Sequence, residues 1–322
     1  MNLFSYARRM IFGISLEEVV VVRRGFHRSN SSTTNHLERI GIAFLGGYHA
    51  ALEEPSIASL SLRIDKTSSL ELCGFAYEGA AMALVLLDEF RLGPRAFPAF
   101  LKGPGLPHAY MLHIGAGWAL ARLPWLRLRL PAVLGSFDPV LRWLVLDGYG
   151  FHEGYFHWST AVRCQTVPRG VSGYAVRAFD QGLGRSLWFV EGIDPERISS
   201  SISRFPEQRR GDLWAGVGLA CAYAGGADSA ALARLSRLAG EYAGAAAQGS
   251  VFAAEARRRA GNPVSHCDLA CRMLAGMSAD DAATLACESM LQLPPDDITP
   301  CYEIWRTRIQ RHFVHTPRGA SL

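Results

Sequence analysis

A chain of 322 residues that is 49% hydrophobic, with mean hydropathy +0.09, is long enough to bury a large core. Its longest apolar run, Ala109 to Ala121, is interrupted by His113 and falls well short of the roughly 20 residues that span a bilayer. The net charge of +4 comes from 33 Lys+Arg and 29 Asp+Glu, and the arginines are scattered rather than striped, which excludes a nucleic-acid footprint.

In chain order, Leu3, Phe4, Ala7, Met10 and Ile11 fall at helical intervals with Arg8 and Arg9 opposite. Residues 1–14 therefore predict an amphipathic helix, either packed on the body or docked on a partner or membrane surface. No signal-peptide core precedes Glu17 and Glu18, and seven cysteines cannot all pair, so the expected compartment is the cytoplasm. Val19 to Val22 suggests a short extended piece. Asn35 and Glu38 make a capping box, and Leu37, Ile40, Phe44 and Tyr48 step at three and four residues, predicting a helix over 36–52. The alternation from Leu60 to Ile64 fits a strand or a loosely packed helix. Residues 1–73 thus read as a less regular N-terminal segment.

From Gly74 onward, small-residue motifs return with markers at Gly79, Gly117, Gly154, Gly184, Gly218 and Gly249. The predicted fold is mostly all-α, a solenoid-like array of helix pairs of about 34 residues over 74–312, forming one compact unit with the N-terminal segment. A mid-helix glycine costs about 1 kcal/mol relative to alanine, so its repeated use predicts close helix–helix approach. Trp125 to Leu130, between Pro124 and Pro131, alternates leucine with arginine; residues 124–131 fit an edge strand, a surface loop, or a segment resting on an anionic membrane. Residues 227–260 predict two helices, 278–291 another and Ile304–Phe313 the last, with a disordered tail over 313–322.

The stretch from Asp147 to Trp158 is the densest in ionisable and aromatic side chains. His152 and His157 are five apart and would diverge by more than 90° on a helix, so no zinc site is expected. His266, Cys267 and Cys271 match no standard zinc knuckle and read as buried thiols. No phosphate-binding glycine loop, paired-cysteine cluster or nucleophile elbow is present, so neither metal nor cofactor is expected and acid/base groups carry the chemistry. Glu153 or Glu78 is the candidate acid or base, His152 or His157 its partner, and Asp180 with Arg177 orients one of them or binds an oxyanion. Substrate contacts are expected from Tyr77, His113, Trp118, Asp147, Tyr149, Tyr155, Gln181, Arg185, Trp188, Trp214 and Gln248, which would line one apolar chamber.

The segments GFAYEGAAMAL (74–84), FLKGPGLPHAYMLHIGAGWALARLPW (100–125), LRWLVLDGYGFHEGYF (141–156), RAFDQGLGRSLWFVEG (177–192) and DLWAGVGLACAYAGG (212–226) resemble a bacterial family of unknown function found with enediyne biosynthesis genes, the UnbL-like proteins. The resemblance covers residues 5 to 312 and implies a polyketide natural-product pathway, without an established catalytic residue. Together these readings describe a cofactor-independent isomerase, cyclase or dehydratase acting on a hydrophobic unsaturated intermediate. The alternative is a non-catalytic scaffold or chaperone that binds other pathway enzymes or the intermediate.

Overall fold

Side-chain caps and apolar steps of three and four residues set the helices. Ser56, Asp194, Asp228 and Ser278 each accept a hydrogen bond from a backbone N–H two or three residues on. The computed structural model describes residues 3–54 and 56–314; among them are eighteen α-helices and no strand, so the protein is all-α.

Helix α1 (Leu3–Phe12) lies on the end of α3 (Ser31–Glu53), held by the Ser5 hydroxyl donating to the Glu53 carbonyl (2.7 Å) and the Tyr48 hydroxyl to the Phe12 carbonyl (2.7 Å). The valines expected to be extended instead form a 3-10 turn (Leu16–Val19) and α2 (Val21–Arg24), because Glu38 accepts from the Val21 N–H (3.0 Å) and buries that side chain. With Glu38 so engaged, Asn30 rather than Asn35 caps α3, accepting from the Thr33 N–H at 2.9 Å. Leu60 and Ile64 are buried and Leu62 exposed, a four-residue step that makes α4 (Ile57–Thr67) a helix and removes the strand alternative. Then come α5 (Cys73–Asp88), α6 (Ala96–Lys102) and α7 (Ala109–Arg122). The alternating segment from Trp125 forms two short helices, α8 (Pro124–Leu128) and α9 (Leu130–Gly135), because each has a proline in its first turn, where a missing N–H costs nothing. The remaining helices are α10 (Trp143–Phe156), α11 (Tyr174–Val190), α12 (Pro195–Ser203), α13 (Glu207–Ala224), α14 (Ser229–Ala239), α15 (Ala243–Arg259), α16 (Ser265–Ala275), α17 (Ala279–Met290) and α18 (Cys301–Val314). The tail after residue 314 lies outside the described residues.

The long helices α3, α5, α7, α10, α11, α13 and α15 stand as successive neighbours. Their contacts are backbone on backbone. In α7, α10, α11 and α13, two glycines sit two residues apart; a two-residue step turns a helix by about 200°, so the pair faces opposite neighbours. Gly148 backs onto the Ile114 carbonyl of α7 and Gly150 onto the Phe179 carbonyl of α11; Gly182 backs onto Asp147 of α10 and Gly184 onto Leu213 of α13. Gly115, Gly148, Gly182, Gly216 and Gly249, each turned toward the preceding long helix, recur at intervals of 33 or 34 residues. In α10 the marker expected at Gly154 is displaced: Gly154 faces the Ser186 side chain, while Gly148 and Gly150 make the backbone contacts. The shorter α12, α14 and α16 form a second row against α13 and α15.

The row of long helices turns back on itself. The His36 imidazole donates to the Ala224 carbonyl (2.7 Å), joining the start of α3 to the end of α13, and Phe75 of α5 meets Tyr223 of α13 edge-on at 5.2 Å. Six helices, α3, α5, α7, α10, α11 and α13, thereby contribute walls to one interior space.

Adjacent glycines of α3 test the close contacts. A Cβ on exposed Gly46 would meet nothing within 4 Å, whereas one on Gly47 would overlap the Ala76 carbonyl. In urea unfolding, Gly46→Ala is expected to raise stability by about 0.5–1 kcal/mol. Gly47→Ala is expected to lower it by about 1–3 kcal/mol or more.

Candidate functional site

Three aromatic walls of the interior space come from helix positions three or four apart: Phe75 one turn before Glu78 on α5, and Phe151 with Tyr155 on α10. Trp118 of α7, Tyr223 of α13 and Phe44 of α3 add to the apolar lining, and Arg185 of α11 is its cation. About 40 Å³ of this chamber is open to the centre of a water molecule. That is room for a few waters or a small group; ligands of ordinary size need several hundred Å³, so a large substrate requires the walls to part.

Glu78 is the chemical centre of the chamber. Its backbone carbonyl is covered by Gly115, its helix is clamped to α3 at the next residue, Gly79, and its side chain is 1% exposed. Its Oε1 makes no hydrogen bond of normal geometry, and neither do Trp118 Nε1 and the Tyr223 hydroxyl on the same lining, although the Trp118 indole is close enough to pull the Glu78 pKa down. Buried polar atoms in folded proteins are mostly paired, so three such groups around one space leave room for a small ligand or water to bond there. Burial pushes the Glu78 carboxyl up to about 7; Arg185 pulls it down and Asp147 adds to the rise.

Arg185 is held by a salt bridge to fully buried Asp147 and lies 4.9 Å from the Phe151 ring centre. Asp147 also accepts from Gln181 Nε2 (2.8 Å), which in turn donates to the Tyr302 hydroxyl (3.0 Å). A fixed guanidinium, a carboxyl that ionises near neutrality and apolar walls can move a proton and stabilise a developing oxyanion.

A hollow of about 410 Å³ shares Ile14, Glu18 and Phe156 with the chamber and carries His152 and His157. The sequence argument that these imidazoles diverge leaves out Glu153, next to His152 and one helical turn before His157. His157 caps α10, and its backbone N–H still donates to the Glu153 carbonyl (2.9 Å), which keeps the two side chains at one-turn spacing. Its Nδ1 reaches Glu153 Oε2 at 3.2 Å, while His152 Nδ1 reaches Oε1 at 3.1 Å. The three donor groups lie within 4.8 Å of one another, and two imidazoles with one carboxylate match the donor set of an open zinc centre. Against a cation stand the Arg122 guanidinium in the same wall and the pairing itself: one carboxylate accepts from both imidazole Nδ1–H groups, leaving each Nε2 as the basic atom. Burial lowers the His152 pKa, so this imidazole is neutral near pH 7. Burial opposes ionisation of Glu153, but its bonds to His152 and His157 outweigh it and keep the carboxyl below its ordinary range. Trp118 meets His152 edge-on at 5.5 Å, so the chamber's indole wall touches an imidazole of this neighbouring hollow, the mouth of the site.

Of the remaining expected residues, Tyr155 joins the chamber wall, and Asp147 and Gln181 lie directly behind Arg185. The others sit elsewhere. Asp180 is paired with Arg209 (2.7 Å), and Arg177 with Asp212 and Glu303 (3.0 and 2.7 Å), so neither orients Glu78 or His152. Tyr77 points away from Glu78, stacking on His108 at 4.0 Å and donating to Asp65 at 3.1 Å. His113 donates to the Ala109 carbonyl, Trp188 to the Gly225 carbonyl, and Tyr149 accepts from Arg127. Trp214 is buried in α13 outside the chamber, and Gln248 accepts from Arg306 at 3.2 Å. Sequence reasoning missed Phe44, Phe75 and Tyr302. It also missed Arg306, fully buried between Asp212 and Glu303; its signal was an arginine on the same stripe as Tyr302, Trp305 and Ile309.

A carboxyl whose pKa rises on folding stabilises the protein below its unfolded value and loses that contribution as pH climbs through the folded value. Raising Glu78 from 4.5 to about 7 predicts a stability fall of about 3 kcal/mol between pH 4.5 and 8. Glu78→Gln is expected to remove this slope and to be the more stable protein at pH 8 in urea unfolding. Asp180, raised by burial to about 6 against the pull of Arg209, contributes a slope at lower pH in both proteins.

No curated protein and no solved structure matches the chain. Residues 3–313 match the family model described as Protein of unknown function (DUF1702), nearly the whole length, and the chain belongs to that family.

Proposed function

We propose that the protein is a cofactor-independent acid/base enzyme of the isomerase, cyclase or dehydratase type, acting on a hydrophobic unsaturated intermediate of enediyne or polyketide assembly. One observation carries this reading: the buried Glu78 carboxyl, its Oε1 without a hydrogen bond of normal geometry and its pKa pushed up to about 7, lines an apolar chamber beside the Arg185 guanidinium. A group that is half ionised near neutral pH serves as acid and base in one cycle. Glu78 takes a proton from a carbon next to a carbonyl or an extended double-bond system, and the electron pair delocalises toward an oxygen stabilised by Arg185. The protonated carboxyl then returns the proton to another carbon, or to a departing hydroxyl that leaves as water. No electron is gained or lost overall. His152, oriented by Glu153, supplies a second base at the mouth.

The recurrence of glycine pairs at 33 or 34 residues supports a further reading of the architecture as one helix-pair unit repeated along the chain. The enclosed position of Glu78 and Arg185 favours chemistry over a scaffold, whose binding groups would be needed on an open face.

Deletion of the gene followed by metabolite profiling is expected to accumulate an unsaturated precursor. Complementation with Glu78→Gln should leave that precursor in place and lower product by at least ~100-fold, the scale of one lost acid/base group. Wild-type product from a stably folded Glu78→Gln protein would remove Glu78 from the mechanism. Glu153→Gln, which leaves His152 in place without its orienting carboxylate, is expected to cost about tenfold.

A further inference from the structure

Residues 3–14, the described part of the first segment whose sequence suits a membrane surface, and residues 124–131, the second, are more than a hundred positions apart in the chain and meet on one face. Phe90, in the turn after α5, joins them: its ring lies 5.4 Å from Phe12 of α1 and 6.0 Å from Trp125 of α8. Around this aromatic row stand Met10 and Ile11 of α1, Leu92 beyond Phe90, and Leu128 of α8, with exposures of 68, 71, 102 and 86%. Apolar tips this exposed, on three elements that the Phe12–Phe90–Trp125 ring contacts hold together, exceed the scattered surface leucines of an ordinary soluble face.

The unpaired charge around them is positive. Arg8, Arg91, Arg122 and Arg129 form no ion pair among the described residues, whereas the acids nearby are already engaged. Glu89 pairs with Arg95 (3.5 Å) and accepts from the Trp125 indole (3.3 Å); Glu53 pairs with Arg9 and Arg63, and Glu54 with Arg63. Free guanidinium groups beside protruding apolar side chains and a half-exposed tryptophan are complementary to a bilayer interface, with phosphates at one depth and acyl chains below.

We propose that this face docks the protein on an anionic lipid bilayer. Leu92, Leu128, Met10 and Ile11 enter the headgroup–acyl boundary, Trp125 sits at the headgroups, and the unpaired arginines bind lipid phosphates. No helix among the described residues is long and apolar enough to cross a membrane, so the attachment is peripheral. Gly13 and Ile14 at the end of α1 and Arg122 at the end of α7 also bound the hollow that carries His152 and His157. Docking therefore brings the mouth of the chamber beside the lipid. If the proposed function holds, a lipophilic substrate can reach it without crossing water; the docking itself does not rest on that reading.

Flotation of the full chain with vesicles decides the matter. With vesicles of equal parts phosphatidylglycerol and phosphatidylcholine at low salt, the protein is expected to float; with phosphatidylcholine alone, or at high salt, it should not. The pair Leu92→Ser and Leu128→Ser should weaken partitioning at least ~tenfold, from the transfer energy of two exposed leucines. The pair Arg91→Gln and Arg129→Gln should weaken it about fivefold per arginine. Thermal unfolding should be unchanged in both, since none of these side chains is buried. Wild-type protein that stays wholly in the soluble fraction overturns the proposal, as does a double variant that floats equally well. Sedimentation showing that the wild type self-associates through this face, with the leucine variants monomeric and no vesicle binding, also overturns it and assigns the face to a second copy of the chain. Loss of flotation with precursor accumulation intact in the deletion strain would leave the enzymatic reading standing.

Discussion

The structure depends on helices that touch through their backbones. Where a glycine removes Cβ, two helix axes approach until Cα hydrogens meet carbonyl oxygens, as Gly150 meets Phe179 and Gly182 meets Asp147 in one reciprocal contact between α10 and α11. Each glycine gives up helix propensity, and dispersion across the extended contact offsets the loss. The geometry has a chemical result. With axes this close, few side chains fit between neighbours, and the longer ones are turned to one side or the other of the helix row. Glu78, Asp147, Gln181 and Arg185 belong to the inner side, and the low dielectric there strengthens every interaction among them.

Two buried arginines show what separates a structural polar cluster from a working one. Arg306 is enclosed by Asp212, Glu303 and Gln248, and ties the last helix to α13 and α15. That cluster lies away from the chamber and is explained by packing. Arg185 is anchored with comparable care by Asp147, yet the carboxyl on its other side, Glu78, is left with an unpartnered oxygen in a space no side chain fills. Leaving such a group without a well-formed hydrogen bond costs on the order of 1–3 kcal/mol. What sets Glu78 apart from other buried polar atoms without a partner, such as His113 Nε2 and Asn262 Oδ1, is that it lines the chamber.

Much of this was legible in the sequence, and the misses have physical causes. The glycine motifs announced close helix contacts, but Gly154 was read as the α10 marker because it sits in the most chemically dense stretch; the pair Gly148 and Gly150 keeps the period. Density in sequence is not proximity in space. Tyr77 and Glu78 are neighbours in the chain yet about 100° apart on the helix, so the tyrosine leaves for Asp65 while Phe75, one turn earlier, becomes the wall. Asp180 and Gln181 part company in the same way, one to Arg209 and one to Asp147. The approach of His157 to Glu153 follows from their four-residue spacing; comparing the two histidines only with each other passes over the carboxylate that both reach.

The wall shared by chamber and mouth has a consequence for the whole site. Ile14, Glu18 and Phe156 separate the two spaces, and Ile14 and Glu18 come from the irregular stretch that links α1 to α3 rather than from the glycine-locked row. Phe156 is in turn covered by Arg24, 4.8 Å from its ring centre, which also donates to the Tyr155 and Phe156 carbonyls and pairs with Glu18. The seclusion from bulk water on which the shifted carboxyl depends is thus maintained by the least regular part of the chain, and moving that stretch outward would hydrate Glu78 and bring its pKa down.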